Sequence, residues 1–137
     1  MRCDDFTGCA KVAAELEVPI QLGENFTSPF DMEAAIGAGA CDLLMPDIQQ
    51  IGGVTGWMRG ASLARTAGME VSSHIFIEFA SHVLPVTPTA RWLEHLDTAS
   101  AVLAEPFRVE GGMLRAPERL GAGIEWNEEA VAAFAVS

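Results

Sequence analysis

The chain has 137 residues, half of them hydrophobic and a fifth charged, with a formal net charge of -11; this is one domain able to bury a core, with no room for a long linker. Eight Lys and Arg stand against 19 Asp and Glu, which leaves no basic footprint and excludes nucleic acid and anionic membrane as partners. No apolar run reaches the ~18 residues of a membrane span, and Met1-Arg2-Cys3-Asp4-Asp5 has no apolar signal core, so the sequence reads as soluble and cytoplasmic.

Helix-like and strand-like segments alternate, the pattern of an α/β protein with parallel strands. Residues 6 to 16 read as a helix with Asp5 as cap, and Val18 to Leu22 as a strand ending at Gly23-Glu24-Asn25. Ser28-Pro29 is a helix start, with Ser as cap and Pro in the first turn, and Gly37 or Gly39 is its stop. Leu43-Leu44-Met45 is a short buried strand closed by Pro46-Asp47. Val54, Trp57, Met58, Ala61 and Ala64 make one helical stripe, ended by Gly68. Met69 to Ser72 is the next strand, followed by His74. Phe76, Phe79, Ala80, Val83 and Leu84 form another stripe, broken near Pro85 and Pro88, and Arg91 to Leu96 is a further strand. Phe107 to Arg115 then reads as a hairpin turning on Gly111-Gly112, and Asn127 caps a short last helix carrying Val131 and Phe134.

Cys3, Cys9 and Cys41 are odd in number and lack metal-knuckle or redox spacing. Cys41 reads as a small buried apolar residue. Cys3 and Cys9 could pair, but so few cysteines give no reason to expect an oxidising compartment.

Glu24, Asp47, His74 and Glu94 each lie at or just beyond the end of an expected strand, 23, 27 and 20 residues apart. That is about one βα unit each. In parallel α/β folds the carboxyl ends of strands converge on one face, where chemistry is built. Taken singly, each residue has a plainer use. Glu24 could be a helix-entry or salt-bridge carboxylate, Asp47 a turn residue bonded to its own backbone, His74 a satisfied core histidine, and Glu94 a solvated neighbour of His95. The linked spacing is what sets those uses aside. His74, Glu78 and His82 form a rival set that would share one helix face only if a helix ran from residue 74. Gly52-Gly53-Val54-Thr55-Gly56 lacks the Lys of a P-loop and the dinucleotide fingerprint, so it reads as a tight βα loop.

Pro19-Ile20-Gln21-Leu22-Gly23-Glu24-Asn25, Met45-Pro46-Asp47, Ile51-Gly52-Gly53-Val54-Thr55-Gly56-Trp57, Ser72-Ser73-His74 and Trp92-Leu93-Glu94-His95-Leu96-Asp97 closely resemble the mandelate racemase and muconate lactonizing enzyme family of the enolase superfamily. Order and spacing both match, through Gly123-Ile124-Glu125-Trp126. The resemblance implies a modified (β/α)7β TIM-type barrel following a capping domain. It also implies Mg²⁺-assisted removal of the proton α to a carboxylate, in racemisation or dehydration of 2-hydroxy acids or acid sugars. Residue by residue, Glu24 matches a metal ligand on the fifth strand, and Asp47 the Asp that orients the catalytic histidine. His74 matches that histidine, and Glu94 the Glu that acts as an electrophile on the substrate carboxylate. The chemistry asks for these types, because an enediolate dianion needs concentrated positive charge and strong hydrogen-bond donors.

The match has a gap. The capping domain, the first four strands, two of three metal carboxylates and the second-strand Lys pair find no counterpart in these residues. A complete barrel needs ~250 residues. The expectation is therefore the C-terminal half of the barrel, residues 1–137 as one partial domain, with βα units to about residue 100 and hairpin and helix over 101–137. Magnesium would be weakly held or absent, and the half-barrel inactive by itself; the alternative is a catalytically silent half-barrel with a structural or oligomerising role. Open strand edges at Val18 to Leu22 and Arg91 to Leu96, with Leu44, Met45 and Val71 on the inward face, lead to the expectation of a homo-oligomer.

Overall fold

A computed structural model describes residues 2–135. Four short strands form one parallel sheet: β1 (Gln21–Leu22), β2 (Leu43–Leu44), β3 (Val71–Ser73) and β4 (Ala90–Leu93). Their spatial order is the chain order, β1-β2-β3-β4. Because βαβ crossovers are right-handed, an unreversed order puts every connecting helix on the same side of the sheet. The sheet is thus wound in one direction, without the switch point of a doubly wound fold.

Several helices begin or end on local chemistry. Asp5 opens α1 (Phe6–Glu15) by accepting a hydrogen bond from the Gly8 amide at 2.9 Å. Ser28 and Pro29 open α2 (Pro29–Ala38), with the Ser28 hydroxyl accepting from the Asp31 amide, and Gly39 in the left-handed region closes it. The long α3 (Gly53–Ala67) ends on Gly68 in the same way. After β3, α4 (Ile77–Val83) passes into a 3-10 turn over Leu84–Val86, where Pro85 removes a helical donor. Beyond β4, Gly111 and Gly112 carry the positive φ values of a two-residue hairpin turn between β5 (Arg108–Glu110) and β6 (Met113–Arg115). Asn127 caps α5 (Glu128–Ala133) through the Ala130 amide; the helix stops before Phe134, which is exposed.

The main core lies between sheet and helices, where Met32, Leu44, Ile51, Trp57, Ala64 and Val71 are buried. Trp57 spans it, its indole N–H donating to the Thr87 hydroxyl at 2.9 Å, which in turn donates to the Val83 carbonyl. That chain ties α3 to the end of α4 in a site where an unpaired indole N–H would be costly. The expectation that Leu44 and Val71 face inward and open is corrected here: both point to the helices and are buried. In two- and three-residue strands a one-residue shift exchanges the two faces, and an apolar pair such as Leu43-Leu44 does not choose between them. Gln21 and Met45 do share the other side, the Gln21 amide lying 2.8 Å from the Met45 sulfur. A smaller cluster of Ile77, Leu103 and Phe107 anchors the segment after β4. No described helix is long and apolar enough to cross a membrane.

All three cysteines are free, with Cys3 exposed and Cys9 and Cys41 buried, so the possible Cys3–Cys9 pair is not formed. Burial, with Asp42 alongside, pushes the Cys41 thiol up to about 11. A thiol reagent at mildly alkaline pH is expected to label Cys3 alone in the folded chain and all three cysteines in denaturant. Rapid native labelling of Cys41, read by mass spectrometry, would contradict this burial.

Candidate active site

The four residues singled out by spacing meet at the carboxyl ends of the parallel strands. Glu24 leaves the end of β1 through Gly23, whose φ is 149° and whose missing Cβ would sit 2.7 Å from the Met45 carbonyl carbon. Only glycine lets this strand end pass so close to the neighbouring main chain, and that passage delivers Glu24 to the mouth. Its side chain is 55 % exposed, and the Asn25 amide donates to its Oε1 at 3.1 Å.

Asp47 follows β2 and is buried. Its Oδ1 accepts from the Gln49 and Gln50 amides at 2.7 and 3.2 Å, while its Oδ2 lies 2.9 Å from His74 Nδ1. The backbone supports that contact: Asp47 and His74 form a parallel bridge, with the His74 amide donating to the Pro46 carbonyl. A carboxylate only accepts, so hydrogen-bond logic assigns the donor role to His74 Nδ1. The other ring nitrogen, Nε2, is left facing the mouth. It lies 3.3 Å from Glu24 Oε2 and 4.0 Å from Glu94 Oε2.

Glu94, just beyond β4, is held from two sides of His74. Its amide donates to the buried Ser73 hydroxyl at 3.3 Å, and its Oε2 accepts from the Ile75 amide at 2.9 Å. Among the described residues no hydrogen bond is made to Oε1. The Ile75 amide is presented by an unusual backbone: Ile75 and Phe76 have φ values of 42° and 40°. Such left-handed geometry in bulky residues costs roughly 1–3 kcal/mol each and persists only where surrounding structure enforces it. Ser73 and Ile75 were not singled out from the sequence. Ser73 had a weak signal in standing next to His74, whereas nothing local announces left-handed isoleucine.

The rival helical set does not form. α4 starts at Ile77, so His74 stays on the strand end; Glu78 is buried, and His82 Nε2 lies 3.2 Å from the Ala122 carbonyl. The Gly52-Gly53 segment is the tight turn into α3.

Electrostatically the mouth is acidic. Glu24, Asp47 and Glu94 surround one imidazole, and no Lys or Arg among the described residues pairs with any of them. A carboxylate ligand would meet like charge there unless a cation came with it. The donor set is not a cage for such a cation, since among the described residues no three His, Cys, Asp or Glu side chains converge as metal ligands. Glu24 and Glu94 offer exposed carboxylate oxygens on either side of His74 Nε2, too few for the near-octahedral oxygen coordination that Mg²⁺ demands. The residues present therefore do not by themselves fit a resident metal ion.

A family model described as "Enolase C-terminal domain-like" matches residues 1–130. The chain is 30% identical over 126 residues to L-talarate/galactarate dehydratase of Salmonella typhimurium, covering 92% of this chain and 32% of that protein. It is 34% identical over 134 residues to 3,6-anhydro-alpha-L-galactonate cycloisomerase of Streptomyces coelicolor, covering 97% of this chain and 37% of that one. Among solved structures, an enolase from Bradyrhizobium complexed with magnesium and mandelic acid superposes with a TM-score of 0.94 at 47% identity, over 100% of this chain and 38% of that one. The chain thus spans about a third of the length of the curated relatives it matches.

Proposed function

Because the chain belongs to the enolase C-terminal domain-like family of the enolase superfamily, we propose that it carries the proton-transfer side of an active site that abstracts the proton α to a carboxylate. The single observation that carries this reading is the Asp47–His74 pair, 2.9 Å apart, with Nε2 turned to the mouth. In this reading His74 Nε2 takes the proton. Asp47 accepts from Nδ1, holds the tautomer and stabilises the imidazolium that results. Glu94, fixed on Oε2 by the Ile75 amide, presents Oε1 to the substrate carboxylate and donates to it when protonated. The substrate class is an acid sugar or other 2-hydroxy carboxylate, in keeping with relatives named for talarate, galactarate and anhydrogalactonate. We read β1 to β4 as the last four strands of a (β/α)7β barrel, which the unreversed strand order supports. Residues 1–100 would then be βα units and 101–137 the closing hairpin and helix.

Glu24 is the carboxylate this chain offers to Mg²⁺, and one carboxylate with water holds that ion only weakly. Hence the 137-residue chain is expected to bind Mg²⁺ no more tightly than millimolar and to catalyse no racemisation or dehydration. Deuterium exchange at the α-carbon of galactarate and mandelate, followed by NMR with excess Mg²⁺, tests both parts. Exchange that disappears in His74→Ala would support the proton-transfer role and refute the inactivity. Perturbation of His74 and Glu94 signals by galactarate plus Mg²⁺, without exchange, is the expected result. No perturbation at either residue would favour the silent half-barrel, whose supporting observation is the lone metal carboxylate.

A further inference from the structure

Strands β3 and β4 do not keep step. Val71 is paired with Ala90 but Ser73 with Leu93, so β4 spends three residues where β3 spends two. An unbroken parallel register would set Trp92 against Ser73 and leave Glu94 one position beyond His74. The bulge draws Glu94 back level with His74. It also turns Leu93 to the main core, against which it packs, and leaves Glu94 to the mouth. Bulges gather beside active sites because they re-aim a side chain in this way. The shifted register is locked on both sides. The buried Ser73 hydroxyl accepts from the Glu94 amide at 3.3 Å, and Arg91, within the bulge, pairs with Glu70 at 2.6 Å.

A second grip comes from the turn after His74. Ile75 and Phe76 hold φ values of 42° and 40°, which glycine would adopt without cost and bulky residues adopt only under constraint. Phe76 packs against the main core, while Ile77 is buried in the smaller one with Leu103 and Phe107. The Phe76 carbonyl accepts from the Phe79 and Ala80 amides that open α4. With both sides pinned, relaxing the turn would swing the Ile75 N–H off Glu94 Oε2, which it holds at 2.9 Å.

We propose that Ser73, Ile75 and Phe76 are positioning residues that couple Glu94 to His74. The residues on either side of His74 grip Glu94, while the His74 amide is fixed to Pro46 and its ring to Asp47. A shift of Glu94 therefore pulls on Ser73 or Ile75 and, through the main chain, on His74. Asp47, anchored by the Gln49 and Gln50 amides, does not follow. One tripeptide thus holds the base and the electrophile in a common register, although Nε2 and Oε2 stand 4.0 Å apart. The proposal rests on the reading of His74 and Glu94 as the proton-transfer side of the site, but its test needs neither substrate nor metal. The coupling can fail while galactarate still perturbs the site, and hold while galactarate does not.

Hydrogen exchange of the 137-residue chain, followed by NMR at three protons, tests the coupling. These are the Ile75 amide, His74 Nδ1–H and, as a reporter of the core, the Trp57 indole N–H. Glu94→Ala is expected to speed exchange of the Ile75 amide about tenfold and of Nδ1–H about threefold, with the indole unchanged. Glu94→Gln keeps a carbonyl for the Ile75 amide and should return both protons to within about twofold of the parent. Ser73→Ala touches neither proton directly and is expected to speed both about threefold. Glu94 is partly exposed, so its variants keep the test open even where Ser73→Ala does not fold. An Ile75 amide no faster in Glu94→Ala than in the parent overturns the proposal. So does an Nδ1 proton that no folded variant moves, or an indole accelerated as much as the other two, which would make Ser73 and Glu94 props of the fold alone.

Discussion

Replacing Asp47 with alanine is expected to lower stability by about 3 kcal/mol and to release the His74 ring. The carboxylate is buried and serves three donors: the Gln49 amide, the Gln50 amide and His74 Nδ1. Each buried donor left without a partner costs roughly 1–3 kcal/mol. Gln49 and Gln50 are exposed residues, so water recovers part of that loss, and the total falls short of a simple sum. Asp47→Asn separates the two roles. It keeps an oxygen for the turn amides but can offer an NH₂ to Nδ1, costing about 1 kcal/mol while reversing the histidine's donor and acceptor atoms. Denaturant titration gives the first effect and imidazole nitrogen shifts the second. An alanine variant as stable as the parent would mean that Asp47 does not hold this turn.

Gly56→Ala should also be strongly destabilising, for a purely steric reason. A Cβ at Gly56 would stand 1.9 Å from the Ile51 carbonyl oxygen and 2.7 Å from its carbon. Both are main-chain atoms of a buried residue and cannot swing aside. The first turn of α3 would have to move away from the sheet, taking with it Trp57 and its bond to Thr87. Overpacking that displaces backbone costs about 1–3 kcal/mol or more, a large share of the 5–15 kcal/mol that holds a domain together. A fall in melting temperature of about 10 °C or more is expected. Gly37 supplies the contrast, since it lies within α2 and nothing stands within 4 Å of an added Cβ. Gly37→Ala should stabilise by roughly 0.5–1 kcal/mol. Equal melting temperatures for the two variants would mean that α3 does not sit against Ile51.

The elements that could be read from sequence were those written in local chemistry. Asp5, Ser28-Pro29 and Asn127 open helices and Gly39 and Gly68 close them, because cap residues act on amides and carbonyls a few positions away. Gly111-Gly112 fixes its hairpin similarly. Strand limits were less legible: Val18 was expected in β1, which starts at Gln21, since a strand extends only as far as its neighbour pairs with it. The faces of Leu44 and Val71, both buried, are hidden for a different reason: in strands this short a one-residue shift exchanges the two sides. The convergence of Glu24, Asp47, His74 and Glu94 was legible because one residue per βα unit is a spacing signal. The Ser73 and Ile75 clamp on Glu94 was not, because it depends on main-chain conformation and on a contact between adjacent strands.

The most direct measurement of the central claim is a long-range proton–nitrogen correlation spectrum of the His74 imidazole. The geometry requires a proton on Nδ1, bonded to Asp47 and slow to exchange. That signal should be retained in Glu24→Gln, which touches only the Nε2 side, and lost in Asp47→Asn. A neutral ring with its proton on Nε2, or an Nδ1 proton indifferent to Asp47→Asn, would contradict the account of His74 as a base oriented by Asp47.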